Sequence, residues 1–125
     1  MRNKYGNKKT TVDGLVFASR AEAHRYAELR ILERGAAIRD LVLQPEFLLQ
    51  ASFKKDGKTV RAVKYVADFQ YFDNDTRKWV VEDVKGGNAT KTAAYSIKKR
   101  LFEYKYPELT ITEVEWGAAH ATKRG

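Results

Sequence analysis

The sequence predicts a mixed α/β domain (an α+β mixed sheet), in which two helices cover a central, mostly antiparallel sheet. Apolar residues recur at helical spacing in two segments, 19–35 and 90–106. Between these segments lie apolar and aromatic runs of strand length, separated by polar turn residues. The chain has 125 residues, 43% of them hydrophobic, which predicts one core and a single domain over residues 1–125.

The composition limits the classes of function. Cysteine is absent, which excludes disulfides and thiolate metal sites, and two histidines are too few to favour a histidine zinc site. The sequence contains no run of 18 apolar residues and no signal-peptide pattern, so we expect a cytoplasmic protein. The net charge of +8 favours a polyanionic partner. Nucleic acid is preferred to an anionic membrane, because neither helix has one large apolar face.

The first ten residues carry four cations and no acid. They predict a basic arm over residues 1–10, in which Lys4, Lys8 and Lys9 are candidate contacts to DNA phosphates. A disordered, solubilising tail is the alternative for the same residues.

The first helix is predicted by a capping box, Ser19-x-x-Glu22, and by Gly35, which ends it. At 100° per residue, Glu22, Tyr26 and Leu29 fall on one inward stripe. The spacing therefore leaves two interpretations of Glu22. Its carboxylate is either a cap for the Ser19 amide or a functional group that faces inward.

Four strands are predicted between the helices, because apolar residues alternate there and Gly, Pro, Asn and Asp punctuate the runs. These strands cover residues 38–43, 46–53, 61–72 and 80–85. Lys54–Lys58 forms a hairpin turn, and Asp73–Thr76 forms another between the last two strands.

The second of these hairpins places two acids on one face. With a four-residue loop, Phe72 pairs with Arg77, and Asp68 lies opposite Val81. Asp68 and Asp83 are then diagonal neighbours, with α-carbons roughly 7–8 Å apart. Both acids lie in apolar strands, where an unpaired charge is costly, so a compensating group is expected.

Side-chain alternation also places Lys85 on the face of Asp83. Two carboxylates and a lysine at a strand end form a site for Mg²⁺, which takes oxygen ligands. Glu82 lies on the opposite face and is assigned a structural role, although a one-residue change of register would exchange it with Asp83. Gln70 shares the face of Asp68 and is a candidate phosphate contact.

The second helix is predicted over Thr90–Tyr106 and is stopped by Pro107. Tyr95, Lys98 and Lys99 flank its apolar stripe and are candidate DNA contacts, with a solvated charged face as the alternative. The predicted core stripe consists of Ala94, Ile97, Leu101 and Tyr104.

A last strand is predicted over residues 109–116, followed by a flexible tail at 118–125. Gly86-Gly87-Asn88 lacks phosphate-loop spacing, so no nucleotide cofactor is expected.

Ala67-Asp68 on one strand and Asp83-Val84-Lys85 on the next resemble the PD-(D/E)xK nuclease signature, with Ala67 in place of the usual proline. The wider pattern is similar to small phage nucleases of this superfamily and to the Holliday junction resolvases within it. The resemblance implies a restriction-endonuclease-like αβββαβ core with an additional strand.

The resemblance also implies an activity, that of a metal-dependent endodeoxyribonuclease for branched DNA. Glu22, Asp68 and Asp83 would hold Mg²⁺, for which Mn²⁺ can substitute, with the carbonyl of Val84 as a further ligand. Lys85 would orient the attacking water or stabilise negative charge. The implied catalytic set is therefore Glu22, Asp68, Asp83 and Lys85.

Junction resolution needs two paired cuts, which predicts a homodimer. Val42, Leu43, Phe47 and Leu48 offer apolar material for its interface, or else belong to the core. The alternatives in activity are a flap, nicking or other phage DNA-processing nuclease, or a non-catalytic basic DNA-binding protein. In the non-catalytic case the acids would form ion pairs, Asp68 with Lys85 and Asp83 with Lys64.

Overall fold

The computed structural model describes residues 9–86 and 92–116, which form a mixed α+β fold as the sequence predicts. None of the helices it describes has the length and apolar character needed to cross a membrane. The two helices are α1 (Arg20–Arg34) and α2 (Ala93–Lys105). The described strands are β1 (Thr10–Val12), β2 (Leu15–Phe17), β3 (Ile38–Leu43), β4 (Glu46–Gln50), β5 (Phe53–Lys55), β6 (Lys58–Val60), β7 (Val63–Val66), β8 (Phe69–Asp73), β9 (Lys78–Lys85) and β10 (Ile111–Glu115).

The centre of the molecule is a four-stranded sheet in the order β10-β9-β8-β3. β8 is antiparallel to both β3 and β9, whereas β10 is parallel to β9. Helix α1 packs on one face, where Leu29 and Phe69 are buried together. On the other face, the α2 residue Phe102 is buried with Val81 and Ile111. The sheet is therefore covered on both faces by helices.

The single strand predicted over residues 61–72 is wrong, because the chain breaks at Ala67-Asp68 into β7 and β8. The Gln44 N–H donates to the Asp68 carbonyl at 2.9 Å, and the Ala67 N–H donates to the Pro45 carbonyl at 3.1 Å. The polypeptide therefore leaves the central sheet between β3 and β4 and returns to it between β7 and β8, and these two crossing points are hydrogen-bonded to each other. The strand predicted over residues 46–53 is likewise shorter, since β4 ends at Gln50.

The hairpin between β8 and β9 forms with a different register from the predicted one. Phe72 pairs with Trp79 instead of Arg77, and the loop comprises residues 74–77. The shift amounts to two residues, and side chains alternate with a period of two. The assignment of residues to faces is therefore unchanged by the error.

The predicted core stripe of α2 is wrong. Ile97, Leu101 and Tyr104 are 48%, 46% and 86% exposed, and Ala94 is exposed as well. The buried residue is Phe102, with Tyr95 packed beside it. Phe102 meets the rings of Phe47 and Tyr65, and these aromatic contacts set the face that α2 turns to the sheet.

The predicted interface residues divide into two pairs. Val42 and Leu48 are 45% and 38% exposed, whereas Leu43 and Phe47 pack against the core. The predicted basic arm loses its last residue, since Thr10 begins β1. Its residues 1–8 and the tail at 118–125 lie outside the described residues.

Candidate functional site

Glu22 lies in the first turn of α1, with its side chain directed inward. The N-cap residue is Ser19, whose Oγ accepts the Glu22 backbone N–H at 3.2 Å. Glu22, Tyr26 and Leu29 are all buried, so the predicted stripe is confirmed. The Glu22 carboxyl shares a hydrogen bond with that of Asp68. Glu22 is therefore more than a cap residue.

Asp68 lies at the break between β7 and β8, where the bend turns its carboxyl toward the end of β9. Its Oδ2 accepts the Val84 N–H at 2.6 Å. Burial, together with the hydrogen bond to Glu22 and the charge of Glu22, raises the pKa of Asp68 to about 8. The Val84 N–H acts in the opposite direction, and the charge of Asp83 adds to the rise in pKa.

Asp83 is buried on β9 and bonds to two side chains. The Tyr65 O–H donates to Asp83 Oδ1 at 3.2 Å, and Lys85 Nζ lies 2.6 Å from Asp83 Oδ2. Burial and the charge of Asp83 raise the pKa of Tyr65, which keeps its hydroxyl protonated. Lys85 Nζ also lies 3.6 Å from the centre of the Tyr95 ring. The lysine is thus held between a carboxylate and an aromatic face.

We refer to Glu22, Asp68 and Asp83 as the acid cluster. Within it, the charges of Glu22 and Asp83 both contribute to the raised pKa of Asp68, after burial and the hydrogen bond to Glu22. A groove of about 200 Å³ opens beside two members of the acid cluster. The lining residues are Leu15, Val16, Phe17, Glu22, Leu43, Gln44 and Asp68.

Within the described residues, no three His, Cys, Asp or Glu side chains form a group that could hold a metal ion. The donor types still suit a hard cation, because the Glu22 and Asp68 carboxyls adjoin in a buried place and Asp83 acts on Asp68 from the next strand, with Lys85 bonded to Asp83. The Val84 N–H points to Asp68, and in an extended strand the carbonyl of the same residue points to the same side. A fourth oxygen is thereby directed toward the cluster.

Glu82 faces away from the acid cluster, toward α1, as predicted. Its Oε1 accepts Arg25 Nε–H at 2.9 Å, its Oε2 accepts Arg25 Nη2–H at 2.6 Å, and Oε2 also accepts the Tyr71 O–H. The hydrogen bond to Glu82 raises the pKa of Arg25. Glu82 is only 1% exposed, yet it is fully engaged with these two partners. Its contacts are those of a structural ion pair.

The predicted DNA contacts lie at several different places. Tyr95 donates its O–H to Glu113 Oε2 at 2.7 Å, and Lys99 Nζ lies 3.7 Å from the same oxygen. Gln70 is half-buried in the sheet between Val42 and Val81. The structure therefore brings Tyr95 to the cluster through Lys85, but does not place Gln70 or Lys99 there.

The remaining predicted contacts are four lysines. Lys9 is exposed and Lys98 is half-buried, whereas Lys4 and Lys8 lie outside the described residues. The ion pairs foreseen for a non-catalytic protein are wrong, because Lys85 pairs with Asp83 and Lys64 with Glu46.

The sequence does not predict two side chains near this part of β9: Tyr65, which bonds Asp83, and Arg25, which pairs with Glu82 on the opposite face. Tyr65 was placed only as an apolar strand residue, since its contact with Asp83 depends on the bend at Ala67-Asp68. Arg25 carried a signal that was available: it follows Glu22 by three residues, which puts it on the neighbouring part of the same helix face.

The family described as "Protein of unknown function (DUF1064)" matches residues 2–120 of this chain. No curated protein and no solved structure matches it.

Proposed function

The chain belongs to the DUF1064 family, and we propose that it hydrolyses phosphodiester bonds of DNA with a divalent metal ion at the acid cluster. The observation that carries this proposal is the convergence of Glu22, Asp68 and Asp83 from three separate elements, with Lys85 bonded to Asp83. A purely structural role would not require Asp68 to be buried against a second carboxyl, an arrangement that raises its pKa to about 8.

The order of elements around the central sheet supports the proposal. Along the chain this order is α1, β3, β8, β9, α2 and β10, which is the αβββαβ order that the resemblance to PD-(D/E)xK nucleases implies. The segment β4–β7 is an addition between the first and second strands of that order. Asp68 precedes the second strand, and Asp83 and Lys85 end the third.

The chain's own residues have distinct tasks in the proposed reaction. Glu22, Asp68, Asp83 and the Val84 carbonyl would hold Mg²⁺, or Mn²⁺ in its place. Such an ion polarises a phosphate and lowers the pKa of a bound water. Lys85 would meet a phosphate held against the cluster and stabilise its growing negative charge. Tyr65 and Tyr95 hold Asp83 and Lys85 in their places.

The proposed substrate is branched DNA, such as a Holliday junction. A net charge of +8 favours contacts to the phosphate backbone, which read shape rather than base sequence. Incubation with labelled four-way junction, flap, nicked and linear duplexes, each with Mg²⁺ or EDTA, tests both activity and substrate. We expect metal-dependent cutting, strongest on the junction. The absence of cutting on every substrate with either Mg²⁺ or Mn²⁺ would contradict the proposal.

Paired cutting of a junction requires two active sites, so we propose a homodimer. Val42 and Leu48 supply exposed apolar surface for its interface. Sedimentation should give twice the monomer mass, and cutting should release two nicked duplexes. A strict monomer in the presence of junction DNA would leave a flap or nicking endonuclease as the proposed activity. For either activity the proposed location is a reducing cytoplasm.

A second function, DNA binding without hydrolysis, is favoured by one specific observation. Asp83 is already engaged by Lys85 at 2.6 Å and by Tyr65 at 3.2 Å, so one member of the acid cluster has its partners within the protein. Such a protein would bind DNA equally well with Mg²⁺ and with EDTA, and would leave every substrate intact.

A further inference from the structure

Residues 51–61, which lie between β4 and β7, form a segment that we call the basic hairpin. Every one of these residues is exposed. β5 and β6 pair with each other, and no other described strand joins them. The turn is Asp56-Gly57, with φ angles of +51° and +77°, as in a tight two-residue hairpin turn. The basic hairpin is therefore a two-stranded ribbon surrounded by solvent.

The ribbon carries a strong excess of positive charge. It carries the cations Lys54, Lys55, Lys58 and Arg61, with Asp56 as the one acid. Among the described residues, no ion pair involves any of the four cations. Lys55 lies directly opposite Lys58 across the ribbon, an arrangement that destabilises a strand pair. A polyanion bound to the ribbon would relieve this repulsion.

The ribbon also exposes an apolar pair on the same face as Lys55 and Lys58. Phe53 lies opposite Val60, and the two are 45% and 37% exposed. An isolated two-stranded hairpin is marginally stable in water. The ribbon thus combines unpaired cations and apolar surface with little packing of its own, as expected of a segment that completes its contacts on a partner.

We propose that the basic hairpin enters a groove of duplex DNA and holds the duplex for the acid cluster. The major groove of B-DNA is about 12 Å wide and admits a two-stranded β-ribbon, with lysines at its edges facing the phosphates. The corresponding groove of duplex RNA is too narrow for side chains to read, so DNA is the better fit. Only the link to the acid cluster rests on the proposed function.

The position of the ribbon matches this task. Strand β7 connects it directly to the break that bears Asp68, and the extended chain from Arg61 to Asp68 spans at most about 23 Å. Along a duplex this distance is about seven base pairs, which is less than one helical turn. One duplex can therefore contact both the ribbon and the acid cluster.

The test compares the wild-type chain with the triple variant Lys54→Gln, Lys55→Gln, Lys58→Gln. Its affinity for a labelled DNA duplex is measured by fluorescence anisotropy in EDTA over a series of salt concentrations. We expect the slope of log affinity against log salt to fall by about 2–3 and the affinity itself to drop about tenfold or more. An unchanged slope would overturn the proposal.

A matched control, the triple variant Arg34→Gln, Arg77→Gln, Lys78→Gln, removes the same charge at the end of the central sheet that lies away from the acid cluster. These three residues are exposed, and Lys78 starts the strand that Lys85 ends. The control should keep most of the wild-type slope. Equal losses of slope in the two variants would mean that the basic hairpin contributes only through the net charge of the protein, and would overturn the proposal. A larger loss on duplex RNA than on duplex DNA would overturn the groove assignment.

Two further readouts separate the explanations. The hairpin variant should unfold at the same temperature as the wild type or slightly higher, because the repulsion between Lys55 and Lys58 is gone. Its weaker binding could then not be due to misfolding. If the hairpin variant loses duplex binding in EDTA while the wild type cuts no substrate, the proposed nuclease activity is wrong and DNA binding by the basic hairpin stands. If the wild type cuts and the variant binds and cuts equally well, DNA binding by the basic hairpin is wrong.

Discussion

Glu82 and Asp83 are adjacent acids on one strand, both buried, yet their surroundings differ. Glu82 faces α1, where one arginine and one tyrosine satisfy both of its oxygens. Asp83 faces the opposite way, where Lys85 and Tyr65 bond to it and its charge adds to the rise in the pKa of Asp68. The first environment pairs a charge with its counter-charge, and the second gathers like charges.

This difference separates two uses of buried charge. A paired acid contributes to a single packed arrangement, and its loss leaves an uncompensated partner. Crowded acids cost stability and are retained for what they bind or catalyse. We therefore expect substitutions at Glu82 to act on folding, and substitutions at Asp83 to act on function.

The largest expected effect is on activity. Asp83→Asn and Asp68→Asn should each lower the rate of DNA cutting by at least about 10²–10³-fold, because each removes a charged oxygen ligand. DNA affinity in EDTA should rise for Asp83→Asn, which removes negative charge near the phosphates, and stay equal for Asp68→Asn, since a carboxyl with a pKa of about 8 is already largely protonated at neutral pH. Single-turnover cutting and anisotropy measure the two quantities. Wild-type cutting by Asp83→Asn would show that the acid cluster is not the site.

A substitution at Glu82 tests the structural pair of Glu82 and Arg25. Glu82→Gln removes the buried charged partner of Arg25, which keeps only Glu28 at 3.0 Å, and should lower the free energy of unfolding by about 3 kcal/mol. Chemical denaturation measures this loss. At temperatures where the variant is folded, its cutting rate should stay near that of the wild type. A stable but inactive Glu82→Gln protein would reverse the comparison between the two acids.

A pH series sharpens the comparison from the side of the acid cluster. Asp68 has a pKa of about 8 when folded, and about 4 is typical of an unfolded chain. Between these values the folded state holds a proton that the unfolded state has lost, so the stability in EDTA should fall as pH rises from about 4 to about 8.

Asp68→Asn serves as the reference for that series. At pH 8 the variant should be more stable than the wild type by roughly 5 kcal/mol, as a shift in pKa from about 4 to about 8 requires, and the gap should close toward pH 4. The difference between the two unfolding curves removes contributions from other titrating groups. A constant difference across the series would mean that Asp68 does not titrate in this window.

The smallest effect concerns the aromatic support of Lys85. Tyr95→Leu removes the ring beneath the ammonium, a contact of about 1 kcal/mol, and should slow cutting roughly fivefold. Tyr95→Phe keeps the ring and loses only the hydroxyl bond to Glu113, so its rate should stay close to that of the wild type. Equal losses in both variants would assign the effect to the hydroxyl.

The parts of this fold that could be predicted are those set by local periodicity. The α1 stripe through Glu22 follows from helical spacing and the Ser19 cap. Asp68 and Asp83 were assigned to one neighbourhood despite a register error of two residues, because faces repeat with the same period.

The parts that could not be predicted depend on contacts distant in sequence. The break at Asp68 is stabilised by Gln44 and Val84, which no local pattern connects to it. The buried face of α2 is selected by Phe47 and Tyr65, whose rings meet Phe102 from strands that precede the helix by tens of residues. Apolar spacing alone favours the stripe of Ala94, Ile97, Leu101 and Tyr104, which the structure leaves exposed.

The Val84 amide, which donates to a side chain instead of to a neighbouring strand, makes the acid cluster visible to spectroscopy. At 2.6 Å from Asp68 Oδ2, its proton resonance should lie well downfield, and it should move as that carboxyl gains or loses a proton. A cation that draws electron density from the same oxygen should move the resonance again. One backbone signal can thus report protonation and metal uptake separately, without substrate and without substitution of any residue of the acid cluster.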